Sequence, residues 1–301
     1  FSAILKTEME KSYFPTLVTV NWLKELVSKG GKSAYRILDG SWHVPQAKRD
    51  AIKEFQAGHI PGALFFDIDE CADKSRNLPH MMPSVKVFEE YVSNLGINND
   101  THVIVYDNNA QFPLFSAQRV WMTFRVLGHE KVSILEGGLP KWIAENGPVT
   151  DKIEVVPKGQ YKGKFNSKMI KQMADIMNNL KSAEFQVVDA RPEGRFKGVA
   201  PEPRDDTKPG CIPQTINLPF MNTMNVKERT MKSPEELKKV FESAGVDLNK
   251  PVVFSCGSGT TACVLALASY LLGKENFSIY DGSWTEWYRD APPELKLNVP
   301  Q

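Results

Sequence analysis

Short apolar runs, most of them β-branched, recur along the chain, separated by longer stretches whose apolar positions fall at helical spacing. Ile37-Leu38-Asp39, Val103-Ile104-Val105-Tyr106-Asp107, Val187-Val188-Asp189 and Pro251-Val252-Val253-Phe254-Ser255 have the length and composition of buried strands. Ser233-Pro234-Glu235-Glu236-Leu237 opens a helix, with serine at the N-cap, proline at the first helical position and carboxylates in the first turn. Ala262 to Leu272 is the longest apolar run, broken only by Ser269 and the hydroxyl of Tyr270, and reads as a buried helix, well short of the roughly 20 residues that span a bilayer. The alternation of strand and helix predicts the α/β class, a mainly parallel sheet with helices on both faces.

The pattern occurs twice. Ile37-Leu38-Asp39 matches Val187-Val188-Asp189, and Gly58-His59-Ile60-Pro61-Gly62-Ala63 matches Gly210-Cys211-Ile212-Pro213-Gln214-Thr215. Val103 to Asp107 matches Val252 to Cys256, and Leu135-Glu136-Gly137-Gly138 with Trp142 matches Tyr280-Asp281-Gly282-Ser283 with Trp287. The order is kept and the offset stays near 150 residues, as a duplicated domain requires. Two tandem domains are expected, over residues 10–147 and 166–297. Residues 148–165, with Pro148, Pro157 and Gly159 and no clear periodicity, form the linker.

Composition adds mostly exclusions. The 301 residues are 42% hydrophobic and 24% charged, ordinary for a globular chain and long enough for two cores. A net charge of +1 implies no nucleic-acid partner, and no segment implies a membrane partner. The four cysteines, Cys71, Cys211, Cys256 and Cys263, form no CxxC pair, which suits neither a disulfide framework nor a structural zinc site. A reducing compartment, mitochondrial or cytoplasmic, fits this usage. Met9 reads as a native start preceded by a remnant of a longer form.

Cys256 stands where a buried strand hands over to a helix, the end of an α/β sheet at which ligands bind. Gly257 and Gly259 permit a tight turn whose N–H groups converge on one point, and Ser258, Thr260 and Thr261 add hydroxyls. With the positive end of the following helix, such a cradle stabilises a thiolate or a persulfide. Cys263 falls inside the apolar run, and Cys71 and Cys211 lie in polar loops. These three read as bystanders. A cysteine phosphatase would need arginine six positions after the cysteine, where this chain has Ala262, so arsenate or phosphate-ester chemistry is disfavoured. A cysteine hydrolase would need a histidine base, and all five histidines lie in the first half. Only a site between the domains could use one.

Gly58 to Ala63, Asp67-Ile68-Asp69-Glu70-Cys71, Gly194-Arg195-Phe196, Glu202-Pro203-Arg204, Cys256-Gly257-Ser258-Gly259 and Asp281-Gly282-Ser283-Trp284-Thr285-Glu286-Trp287 together resemble the rhodanese superfamily over nearly the full chain, specifically its two-domain 3-mercaptopyruvate sulfurtransferases. The resemblance implies two tandem rhodanese-like domains, the first non-catalytic with Asp107 in place of the cysteine, and an active site between them. It implies that Cys256 takes sulfur from 3-mercaptopyruvate as a persulfide, releasing pyruvate. The sulfur then passes to cyanide or to a thiol such as thioredoxin, with hydrogen sulfide as a further product. Neutral Gly257-Ser258, where thiosulfate-preferring relatives carry basic residues, points to mercaptopyruvate. Arg195 and Arg204 match the substrate-binding arginines, a task suited to the planar guanidinium fork. Asp69 and His80 match residues brought near Ser258 for proton handling, although Pro79 stands where relatives often have an acidic residue. No metal or organic cofactor is implied. A thiosulfate sulfurtransferase and a non-catalytic rhodanese-like module for binding or redox sensing are the alternatives.

Overall fold

A computed structural model of the chain describes residues 14–29 and 34–300. Met9 and the expected domain start at residue 10 lie outside the described residues. In the first half, β1 (Leu17–Val18), β2 (Tyr35–Asp39), β3 (Ala63–Phe65), β4 (His102–Tyr106) and β5 (Val132–Leu135) form a parallel sheet in the order β1-β5-β4-β2-β3. In the second half come β6 (Ile170–Lys171), β7 (Gln186–Asp189), β8 (Thr215–Asn217), an antiparallel pair of β9 (Met224–Asn225) and β10 (Thr230–Met231), then β11 (Val252–Ser255) and β12 (Phe277–Tyr280). The second parallel sheet runs β6-β12-β11-β7-β8, the same order as the first once each is counted within its own half. Register repeats too. Asp39 pairs with Tyr106 and Asp189 with Ser255, so Asp107 and Cys256 are the equivalent residues just past the central strands.

Helix Pro234–Ser243 begins as its sequence requires. Ser233 Oγ accepts the Glu236 N–H, and the Glu236 carboxylate accepts the Ser233 N–H at 2.9 Å, a reciprocal cap. The apolar helix is Ala262–Leu271, starting two residues after Thr260. It packs against helix Ala117–Val126, its counterpart in the first domain, with Trp121 and Tyr270 ring centroids 5.5 Å apart and the Arg125 guanidinium 4.3 Å over Tyr270. One face of Ala262–Leu271 covers its own sheet and the other covers the neighbouring domain. That double burial is why it carries no polar stripe.

Residues 148–165 lie along the first domain as a strap. His59 and Thr150 exchange backbone hydrogen bonds at 2.9 Å, and Gly159 N–H donates to Ser93 O at 2.7 Å. The Tyr161 ring is buried with its hydroxyl on Leu127 O. Among the described residues no helix is long and apolar enough to cross a membrane.

Candidate active site

Cys256 follows β11 and is 2% exposed. Its loop is held from behind by the segment after β12. Cys256 O accepts the Trp284 N–H at 3.0 Å, and Gly257 O accepts both the N–H and the hydroxyl of Thr285, at 2.9 and 2.7 Å. The Cys256 N–H donates to Ser283 Oγ at 3.2 Å. Ser283 occupies the left-handed region, φ 51°, a conformation that costs a non-glycine residue energy and aims its hydroxyl at the cysteine peptide.

The two glycines serve different ends. Gly259 has φ +77° and turns the chain toward the helix, as expected. Gly257 does not need a left-handed backbone; a Cβ there would lie 2.9 Å from Arg195 Nη2, the movable tip of that side chain. The guanidinium lies close over it, and its ordinary φ corrects the expectation that both glycines supply unusual backbone angles. Thr260 Oγ1 is buried without a partner beside the cleft, a hydroxyl free to serve a bound anion.

That cleft, about 720 Å3, lies between the domains. Cys256, Ser258 and Thr261 line it together with Arg195 and Arg204. Phe112 from the first domain and Phe220 from the second meet edge to face at 5.1 Å and supply an apolar wall. Arg195 Nε and Nη2 both reach Glu202 Oε2, the former at 3.0 Å. Glu202 also accepts from Arg191 at 2.7 Å, and Arg191 grips Asp189 through Nε and Nη2. Arg191, fully buried, is thus a structural partner of Asp189, and its carboxylate neighbours raise its pKa despite burial. Arg195 remains partly exposed at the cleft.

The first domain contributes His80. Its Nδ1 is 2.7 Å from Asp69 Oδ1, though off the axis of a straight hydrogen bond, and its Nε2 is 3.3 Å from Arg204 Nη2. Arginine only donates, so Nε2 accepts and the proton sits on Nδ1 facing Asp69. Burial, joined by the Arg119 and Arg204 charges, pushes the His80 pKa down against the pull of Asp69. Burial works against the Asp69 charge, but His80 outweighs it and holds that carboxyl below its usual value. Trp42 buttresses the pair, its ring edge-on to His80 at 4.6 Å and its Nε1–H on Asp69 Oδ2 at 3.0 Å. The expected contact with Ser258 is not made: the free ring nitrogen faces Arg204 instead. His80 itself has φ 59°, the turn that the chain takes directly after Pro79.

Arg119 was not singled out by sequence. Fully buried on helix Ala117–Val126, it donates to Asp281 Oδ1 at 2.8 Å, to Gly259 O at 3.3 Å and to His80 O. Asp281 Oδ2 also accepts the Met82 N–H at 2.7 Å. One ion pair therefore ties the cysteine loop, the His80 loop and both domains together. Its only sequence signal was an arginine among apolar residues of a helix, where Arg125 lies as well. Asp281, Ser283 and Thr285 belong to a motif already noted without a role. Cys71 and Cys211 are 3% and 4% exposed rather than solvated with their polar loops, and burial raises the pKa of each. Cys263 is buried with its thiol on Gly259 O.

A family model described as a rhodanese-like domain matches residues 19–145 and again 172–290. The chain belongs to the rhodanese family. It carries two rhodanese-like domains, each the mainly parallel sheet flanked by helices described above. Human 3-mercaptopyruvate sulfurtransferase is 46% identical over 279 residues, 92% of this chain and 93% of that protein. Rat thiosulfate sulfurtransferase is 44% identical over 287 residues, 95% and 96% of the two chains. The crystal structure of SseA from Escherichia coli, described with the 3-mercaptopyruvate sulfotransferases, matches with a TM-score of 0.80 at 36% identity, covering 89% of this chain and 98% of that one. These relatives make the chain a member of a sulfurtransferase family and stand on both sides of the choice of donor.

Proposed function

We propose that the chain is a 3-mercaptopyruvate sulfurtransferase whose Cys256 carries the sulfur as a persulfide. The observation that supports this donor is the packing of Arg195 over Gly257. The cations beside Cys256 are Arg195 and Arg204 on the cleft wall, while the loop itself is neutral at Gly257 and Ser258, with the Arg195 tip 2.9 Å from where a Cβ at 257 would stand. Wall-mounted guanidinium groups suit a carboxylate set back from the transferring sulfur. A compact inorganic dianion would be served better by cations in the loop.

In the proposed cycle Arg195 and Arg204 hold the carboxylate and carbonyl of mercaptopyruvate. The Cys256 thiolate attacks the donor sulfur, the carbon–sulfur bond breaks, and its electron pair leaves as the enolate of pyruvate, which takes a proton. Thr260 Oγ1 and the loop N–H groups stabilise the resulting persulfide anion. His80, neutral with its Nδ1–H facing Asp69, orders Arg204 and handles a proton once donor binding draws Arg204 away. A thiol, thioredoxin among them, or cyanide then removes the outer sulfur, with hydrogen sulfide arising from a thiol persulfide. Residence in mitochondria or cytoplasm goes with this reading.

The rat thiosulfate sulfurtransferase likeness favours the second reading, thiosulfate as donor to the same cysteine. Rates with mercaptopyruvate and thiosulfate, measured in one assay with a common acceptor, separate the two. Faster turnover with thiosulfate overturns the first.

A further inference from the structure

A second cleft of about 940 Å3 lies on the domain boundary and shares Arg204, Thr207 and Thr285 with the cleft over Cys256. Those three side chains are the partition between them. Its charged lining is Lys74, Arg204, Lys208, Arg289 and Lys296 against one carboxylate, Asp206. Lys74 is paired with Glu70 at 2.9 Å and Arg289 with Asp290 at 2.8 Å. The other cations have no carboxylate at ion-pair distance among the described residues. Lys208 Nζ donates to Pro300 O at 3.2 Å, Lys296 lies over the Tyr288 ring at 5.4 Å, and Arg204 reaches the His80 ring nitrogen. A net excess of positive charge in a cleft attracts anions and concentrates them there.

The second cleft meets the donor cleft at this shared wall and so offers an approach separate from the donor's own. We infer that this second cleft is the acceptor subsite for small thiols that carry carboxylates, Lys208 and Lys296 holding the carboxylates while the thiol passes Arg204. The inference rests on the persulfide reading above. In the transfer the acceptor thiolate attacks the outer sulfur, the sulfur–sulfur bond to Cys256 breaks, and its electron pair returns to Cys256 Sγ as thiolate. The acceptor leaves as a persulfide, and no external oxidant or reductant is consumed. Arg204 suits a gate because its one side-chain hydrogen bond among the described residues is to a ring nitrogen, an anchor weaker than an ion pair.

The test uses the full chain and its Lys208→Glu/Lys296→Glu variant, with glutathione, which has two carboxylates, and 2-mercaptoethanol, which has none. The expected result is a KM for glutathione raised roughly tenfold, with added salt weakening glutathione use by the parent protein more than by the variant. The KM for 2-mercaptoethanol and the rate of persulfide formation from mercaptopyruvate stay unchanged. An equal effect on both thiols, or none on glutathione, overturns the acceptor subsite. Absence of persulfide in the parent protein overturns instead the reading beneath it.

Discussion

Asp107 and Cys256 end the central strands of two sheets with the same strand order, and Asp107 fills its own cradle. Its Oδ2 accepts the N–H groups of Phe115, Ser116 and Ala117 at 2.8, 2.8 and 2.9 Å, at the start of the helix that corresponds to the one after Cys256. The first domain thus binds a built-in anion where the second leaves its loop open to the cleft. Asp107→Ala is expected to cost about 2–3 kcal/mol of stability, the scale of hydrogen bonds to a buried charge, while leaving sulfur transfer intact below the melting range. Urea titration and a rate assay on the same preparation check both halves.

The carboxylates at the paired positions of the neighbouring strands diverge. Asp189 is gripped by Arg191, whereas Asp39 has Ser41 at that place, with the Ser41 N–H at 2.9 Å. Burial is the main cause that lifts the Asp39 pKa to about 7, with Asp107 adding to it. The folded chain keeps this proton up to about pH 7 while the unfolded chain loses it near pH 4. The folded form therefore binds more protons between those values, and this group's contribution to stability, full below about pH 4, is lost as pH rises through about 7. Asp39→Asn is expected to flatten that slope in denaturation midpoints measured from pH 4 to 8. An unchanged slope would remove Asp39 as its source.

Arg119 and Asp281 are both 2% exposed, so each leaves an unpaired buried charge when the other is removed. Arg119→Met is expected to lower stability by about 3–5 kcal/mol and to reduce turnover, because the His80 loop and Gly259 lose a common anchor. Losses in Arg119→Met and Asp281→Asn that simply add in the double variant would show that the pair is not coupled.

Arg195→Ala and Arg204→Ala are each expected to lower kcat/KM for mercaptopyruvate by about 2–3 kcal/mol in transition-state terms, roughly 30- to 160-fold. Arg195→Ala also strips a partner from Glu202, so a stability measurement must accompany it. Unaltered kinetics in both variants would take them out of the site.

Much of this was legible in the sequence because duplication leaves two copies of each signal. The strand ends at Asp39, Asp107, Asp189 and Cys256 announced the register, and Ser233-Pro234 announced a helix start. What escaped reading depends on long-range contact. Arg119 meets Asp281 across 162 residues, and nothing local marks that pairing. Ser283 acts through a left-handed backbone angle that its neighbours do not dictate, and Gly257 lies under Arg195, 62 positions earlier in the chain. His80 was legible as a residue type, but its ring orientation toward Arg204 was not.

The most direct test of the central claim is peptide mass analysis after incubation with 3-mercaptopyruvate in the absence of acceptor, with pyruvate measured in the same sample. The account predicts one added sulfur on the Cys256 peptide, pyruvate released in equal amount, and neither in Cys256→Ser. Full turnover with an unmodified Cys256 peptide would contradict it.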